Sequence, residues 1–598
     1  MPVEETYRTE DIFASREDFY AEISAVDSMI PSLSNYRGRL HEDATVVYEC
    51  LETLDEIARR ASWLVSYSRL RLLTDGGNPE YTTDVARAMD VQSRMLRAAS
   101  FVKTELCALT PETLQEYIQT EPRLNQFSSL LRQVDLTREH MLGLEAETTL
   151  AALSQLRASP SQIYGTATTA DMKFEPVLDS QGKQHSVSLM GVMMHTEVSP
   201  DTTLRRNAYA SMINALKPYR HTLAASLSTH IKANVTVSRL KRYESVFHMM
   251  LNESAYGFGS ADEVPVSVFD NVLDTFQAKV SPEFQRYAKL RQRVLGLDRL
   301  LIADVKAGLD PDYDPSLNLE DVEEWIVEAV ETMGPDYVDT VRSAFKNRWI
   351  DRADNYGRQG GASCTTVYGL HPFIFSVWTG SMHSAFTLAH ELGHAVHGVL
   401  NTRHQRFLNT RSSQFLGEAP SCFIPQLLAE HLKSTAPDTR FRRAVLIEEM
   451  NTYHHEFVTH LLEAELLRRL YRRAERGEAL PEKIITGEKR DILRQFWGDT
   501  VEVDDDSGLM WMRQPHYYMG LYPYVYSVGL AAATCAIEII KEEGEPAKQR
   551  WLDMMKAGGS KNALALFKMV GIDMSTPEPL ERMCEHVGKV VTELEDTF

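Results

Sequence analysis

The sequence predicts a mainly α-helical fold built from two or more subdomains, and three observations carry that prediction. The chain has 598 residues, too many for one simple core. Apolar residues recur at three- and four-residue steps in many stretches, which is helix spacing. Strand signals are confined to two short segments.

The elements follow in chain order. Leu51, Leu54, Ile57, Ala58, Ala61 and Leu64 lie on one face of a predicted helix. Val85, Ala88, Met89, Leu96 and Ala99 predict a second, with Gln92 as a polar interruption. Residues 172–187 predict a β-hairpin turning on Asp179-Ser180-Gln181-Gly182. That hairpin is the best candidate boundary, dividing an N-terminal helical lobe, residues 1–190, from a larger part, residues 191–598. Val322, Trp325, Ile326, Ala329 and Val330 repeat the helical pattern. Residues 370–378 predict a strand, and Pro372 inside it predicts an edge strand, because proline cannot donate to a ladder. No internal repeat or low-complexity linker interrupts the chain.

Composition excludes several classes. Hydrophobic residues are 43% and charged residues 25%, which is globular rather than disordered. A net charge of -21 opposes the sign expected of a nucleic-acid binder. The charge serves solubility, with attraction of cationic peptides as the sharper alternative. The six cysteines, Cys50, Cys107, Cys364, Cys422, Cys535 and Cys584, form no C-x-x-C pair and read as free thiols of a reducing compartment. The first ten residues carry Glu4, Glu5 and Glu10 without an apolar core, unlike a signal peptide. The apolar stretch 527–540 is too short and interrupted to cross a bilayer. A cytoplasmic protein without membrane or nucleic-acid partners is expected.

The chemistry is carried by His390-Glu391-Leu392-Gly393-His394. On a helix, histidines four apart share a face one turn apart and can hold one metal ion. Glu391 sits beside them and reaches a water at the metal without ligating it. Phe386, Ala389, Leu392 and Val396 supply a helical apolar face, and no proline interrupts residues 381–400. Gly393 costs a helix about 1 kcal/mol relative to alanine, so close approach of another backbone is its expected reason. Chance alone gives a His-Glu-x-x-His match in roughly one chain of this size in twenty. A pair of ordinary helical histidines is the bland alternative.

A third protein ligand decides between them. The positions three and six after His394 hold His397 and Leu400, not the glycine and histidine of the metzincin pattern. The remaining common solution is a glutamate from a following helix, leaving a fourth position open. Residues 395–417 contain no acidic side chain, and the first is Glu418. Glu418 is the natural candidate; His397 and His404 are rivals.

Taken together, several segments resemble the oligoendopeptidase F branch of the thimet oligopeptidase family of zinc metallopeptidases. They are Gly334-Pro335-Asp336-Tyr337, Arg348-Trp349-Ile350-Asp351 and Gly357-Arg358-Gln359-Gly360-Gly361-Ala362. The stretch 386–394, Glu418-Ala419-Pro420-Ser421, Pro515-His516-Tyr517-Tyr518 and Tyr522, Tyr524 and Tyr526 continue it. The resemblance implies a two-lobed helical zincin enclosing a deep substrate channel, with a small β-sheet near the zinc. It implies one Zn²⁺ per chain on His390, His394 and Glu418, and Glu391 as general base. It also implies His516 with Tyr524 or Tyr526 as donors to the oxyanion of the tetrahedral intermediate. Tyr517 and Tyr518 are read as packing. Two departures stand out: Ser384 where an acidic residue is expected six before the first histidine, and Leu521 and Pro523 within the tyrosine segment.

The expected function is hydrolysis of internal bonds in short peptides. The predicted strand at 370–378 would pair with the substrate by edge addition, which reads backbone more than side chains. The glycines Gly357, Gly360 and Gly361 form either a mobile loop over the substrate or an ordinary tight turn. A dipeptidyl carboxypeptidase is the first alternative, with Arg513 or Arg358 as the cation for a free C-terminal carboxylate. A helical peptide-binding protein with a relic site is the second.

Overall fold

The structure is a computed structural model and describes residues 2–253 and 263–598. It is 73% helical, with small sheets only, in agreement with the predicted class. Two hydrophobic cores organise it. The smaller gathers residues from Tyr7 to Val134 together with Val367, Phe373, Phe375, Phe407 and Leu408. The larger runs from Tyr164 to Leu594. Tyr164, Met172 and Val187 belong to the larger core, so the segment around the hairpin packs with the C-terminal body.

The helix Ala44–Thr74 starts where the Asp43 carboxylate accepts from the amides of Thr45 and Val46. Its predicted apolar positions from Leu51 to Leu64 are all buried. The next helix, Pro79–Ala108, is rotated from the expected face. Ala88, Val91, Met95, Ala99 and Val102 are buried, while Leu96 is exposed. The cause is Asp84, a buried member of that stripe, which accepts from Arg16 and Tyr20 and so brings a polar residue inside. The helix Leu319–Val330 buries Val322, Ile326, Ala329 and Val330 as predicted.

The hairpin forms from β1, Val177–Leu178, and β2, Gln184–His185, paired antiparallel with Val177 opposite His185. Gly182 takes φ +78° in its turn. The second sheet has three strands: β3, Ile350–Asp351; β4, Ser363–Thr366; and β5, Pro372–Phe375. Their order is β3-β5-β4, parallel then antiparallel. The edge-strand expectation for residues 370–378 is therefore corrected: β5 is central. Pro372 opens the strand, where its missing N–H interrupts nothing, and the rest of β5 is fully buried. The edge beside the motif helix is β4, whose Thr366 packs against Gly398. A Cβ on Gly398 would meet Thr366 Oγ1 at 2.1 Å, so only glycine lets the helix lie this close.

The glycine segment 357–361 is tied to the first lobe rather than hanging free. Gly76 N donates to Gly357 O at 2.8 Å, and Gln359 N donates to Leu73 O at 3.0 Å. The apolar stretch 527–540 is part of a longer helix, Tyr524–Glu543. By length and composition that helix is long enough to span a bilayer, which corrects the reading of 527–540 as too short. Its residues are mostly buried inside the protein, so a core position accounts for their apolar character.

Candidate active site

The motif lies on the helix Met382–His404, and the local sequence explains its start. Ser381 caps it, and Ser384 closes a capping box: Ser384 N donates to Ser381 Oγ at 3.2 Å and Ser381 N donates to Ser384 Oγ at 3.1 Å. Ser384, found where an acidic residue was expected, serves the cap. Phe386, Ala389, Leu392 and Val396 are buried and fix the helix against the core.

That orientation turns His390 and His394 toward Glu418. Each imidazole Nε2 lies 3.4 Å from the same oxygen, Glu418 Oε2. Glu418 stands at the corner between the short helix Gln414–Gly417 and the helix Ala419–Thr435. Two hydroxyls hold its carboxylate: Tyr522 donates to Oε1 at 2.7 Å, and Ser421 donates to Oε2 at 2.9 Å. Burial pushes this carboxyl up, but the two imidazoles outweigh it and hold it well below the usual range. The expected close approach at Gly393 is present. A Cβ there would meet Pro420 O at 2.3 Å and Ser421 Cα at 2.7 Å, both backbone atoms. Glycine lets the second helix drop onto the first, and that contact delivers Glu418.

The donor set fits zinc. Ligand bonds of about 2.0–2.2 Å in a tetrahedron place neighbouring ligand atoms about 3.4 Å apart, and zinc takes imidazole and carboxylate in this combination. Both His–Glu separations have that length. The His390 and His394 side chains keep 26% and 27% exposure while Glu418 keeps 6%, so the group is walled on the glutamate side and reachable from the other. The rivals are elsewhere. His397 is buried, with Nε2 unpartnered and its pKa pushed down to about 4 by burial and then by His394. His404 Nδ1 bonds Leu400 O at 2.7 Å near the helix end.

Glu391 is buried, and its Oε2 has no hydrogen-bond partner. Burial raises its pKa, against the opposing pull of His390 and His394. The Cys364 thiol of β4 is raised by burial and then by the Glu391 charge, which places the edge strand beside this carboxylate.

The late segment arrives from a different direction. Tyr526 stacks on His460 with ring centres 4.3 Å apart, and meets Tyr522 edge-on at 5.3 Å. His460 in turn meets His516 at 4.5 Å. A chain of contacts thus runs Glu418–Tyr522–Tyr526–His460–His516. Below it lies Glu463, which accepts from His460 Nδ1 at 3.0 Å and lies 3.6 Å from His516 Nδ1. With Nδ1 of His460 donating, its Nε2 accepts from His455 Nε2 at 3.0 Å. Burial lowers the His516 pKa, with Glu463 opposing, which favours the neutral ring. Lys489 is also buried near Glu463, its pKa pushed down to about 8 by burial against the pull of that carboxylate.

Tyr524 is not brought to this chain. It is 1% exposed and packs between Phe269 and Phe415, at 5.1 and 5.8 Å. The reason is helical: side chains two apart do not share a face, and Tyr526 faces the site. Tyr517 is buried, and Tyr518 packs on Tyr164 at 5.3 Å. Sequence reasoning missed Tyr522 as the partner of Glu418, Ser421 as its second donor, and the His455–His460–Glu463 support beneath His516. Ser421, three residues after Glu418 on one helix face, was the signal within reach. Nothing in the sequence linked residues 455–463 to His516.

Residues 194–586 match Peptidase family M3, and residues 105–174 match Oligopeptidase F. The chain is 29% identical to oligopeptidase PepF of Bacillus subtilis over 596 residues, covering 100% of this chain and 88% of that one. It is 25% identical to group B oligopeptidase PepB of Streptococcus agalactiae, covering 99% and 97%. Among solved structures, oligoendopeptidase-F from Enterococcus faecium superposes with a TM-score of 0.75 at 23% identity, covering 97% of this chain and 99% of that one. A Chlamydophila abortus protein gives 0.86 at 23% identity, covering 100% and 99%. The chain belongs to peptidase family M3 and is a metallopeptidase.

Proposed function

We propose that this chain is a zinc-dependent oligoendopeptidase that cuts internal bonds of short peptides. The observation that carries the reading is the pair of equal 3.4 Å separations from His390 and His394 to one oxygen of Glu418. His390, His394 and Glu418 would hold one Zn²⁺ per chain. When bound, the ion supplies a Lewis acid that polarises the scissile carbonyl and acidifies a water.

The remaining work belongs to the protein. Glu391, buried and without a hydrogen-bond partner on Oε2, takes the proton of the attacking water and passes it to the leaving amine. His516 and Tyr526 donate to the oxyanion of the tetrahedral intermediate. His460, Glu463 and His455 hold the His516 and Tyr526 rings in place. The outer edge of β4, beside Glu391, offers a backbone ladder to an extended peptide in place of the occupied edges of β5. The part built on the smaller core, Tyr7 to Val134, would form the lobe that faces the catalytic part across the channel, and that wall would exclude folded proteins. The hairpin segment near residue 180 packs with the catalytic part instead. The free thiols suit a cytoplasmic setting.

The endopeptidase mode is favoured over dipeptide removal by the state of two arginines. Arg513 pairs with Glu197 at 2.6 Å, and Arg358 pairs with Asp351; all four are largely buried. Neither guanidinium is free to receive a substrate carboxylate. Mass spectra of products from a mixed peptide library test this. Internal cuts in peptides of roughly five to twenty residues are expected, with negligible attack on a folded protein. Successive C-terminal dipeptides, or rapid digestion of a native folded protein, would contradict it.

A further inference from the structure

Glu418 is gripped from two sides, and only one grip belongs to the His-Glu-x-x-His motif. Gly393 touches the corner from the motif helix. Gly529 touches it from the tyrosine helix, Tyr524–Glu543. A Cβ on Gly529 would lie 2.5 Å from Glu418 Cβ, 2.6 Å from Glu418 C and 2.9 Å from Ala419 N. These are rooted atoms, not the far end of a flexible side chain, so alanine there requires the Glu418 corner to move. Gly529 is helical, so its glycine identity answers to this contact and not to its own torsions. It lies three residues after Tyr526, on the face that meets the site, while Tyr522 on the same approach donates to Glu418 Oε1 at 2.7 Å.

We propose that Gly529, together with Tyr522, is a positioning residue for the metal ligand Glu418: the tyrosine helix is a wall of the metal site as well as the carrier of Tyr526. The backbone contact at Gly529 sets where the Glu418 Cα stands, and the Tyr522 hydroxyl sets how its carboxylate is turned. Movement of this helix would then shift the ligand and the Tyr526 ring together. The inference rests on the zinc ligand set proposed above.

The test is zinc affinity by competition with a chromophoric chelator, with the visible spectrum of the Co²⁺-loaded protein as a readout of ligand geometry. Gly529→Ala is expected to weaken zinc by 10–100-fold, the usual effect of disturbing the partners of a ligand, and to alter the cobalt bands. Tyr522→Phe keeps the volume and is expected to weaken zinc several-fold with the fold intact. Gly508→Ala is the control: its Cβ would meet Thr486 O at 2.3 Å, an equally tight contact between other elements. It should lower thermal stability and leave zinc affinity and the cobalt spectrum unchanged. If the parent protein binds no zinc, the ligand set itself is wrong and the inference falls with it. If the parent binds zinc and Gly529→Ala keeps both affinity and spectrum, the ligand set stands and the proposed role of Gly529 is overturned. Should Gly529→Ala fail to fold, unchanged affinity and spectrum in Tyr522→Phe overturn the proposal.

Discussion

Among the described residues two clusters share one composition, two histidines and a glutamate, and their geometries differ. In the first, His390 and His394 present Nε2 atoms at an equal 3.4 Å from Glu418. In the second, His460 and His516 present Nδ1 atoms at 3.0 and 3.6 Å from Glu463. The first spacing matches the edge of a metal tetrahedron; the shorter of the second pair is a hydrogen bond. The surroundings differ in the same sense. Tyr522 donates to Oε1 of Glu418 and Ser421 to Oε2, the oxygen that both imidazoles face, and among the described residues no Lys or Arg pairs with this carboxylate. Glu463 already accepts from His460, whose other nitrogen is held by His455, and Lys489 adds a cation nearby. Donor type alone therefore does not make a metal site. What sets the first cluster apart is the equal separation and, among the described residues, the lack of a Lys or Arg beside its carboxylate.

The largest expected effect sharpens the first cluster. Glu391→Gln should keep about one zinc per chain and lose turnover by several orders of magnitude, because the base is removed and the ligands remain. Zinc content measured beside the rate on a quenched fluorescent peptide checks it; loss of zinc in this variant would make Glu391 a ligand.

Next comes the second cluster. His516→Ala should keep zinc and lower kcat by about two to three decades, the worth of one oxyanion donor at about 3 kcal/mol, with little change in KM. A raised KM at unchanged kcat would make His516 a substrate-binding group instead.

The tyrosines give a smaller, asymmetric effect. Tyr526→Phe should lower kcat by about one to two decades, while Tyr524→Phe, altering a ring packed on Phe269 and Phe415, should leave kcat within about twofold. Steady-state kinetics on the two variants side by side would expose the reverse order.

The smallest effect lies outside both clusters. Burial lowers His230 and His586 to about 4 in the folded protein, below the ordinary 6.5. The unfolded chain then binds more protons between those values, so stability is present at neutral pH and falls as the pH drops from about 6.5 toward 4. His586→Gln, which can keep the bond to Tyr453, should flatten the fall of Tm over that window. An unchanged slope would mean that His586 does not titrate on unfolding.

How much of this was legible in the sequence follows from the range of each interaction. The motif helix was legible because its apolar spacing and its histidine spacing agree. The grouping of Glu418 with the histidines was legible because no other acid lies between residues 395 and 417. Gly393 was legible as a close approach because a glycine inside a strong helix needs an external reason. Strand order was not. Pro372 fits an edge or the first residue of a central strand equally well, and only the partners β3 and β4 decide. The stripe of the helix Pro79–Ala108 was misread because Asp84 is buried by Arg16, a partner more than sixty residues away. The same distance hid the Tyr522–Glu418 bond and the Glu463 support of His516, which join elements that share no local signal.

The central claim is that only the first of the two clusters holds the metal. The direct test is zinc per chain, by atomic emission after gel filtration, in the parent protein, Glu418→Ala and His460→Ala. The account predicts about one zinc in the parent and in His460→Ala, and essentially none in Glu418→Ala. Two zinc ions in the parent with one lost in His460→Ala, or zinc retained in Glu418→Ala, would contradict it.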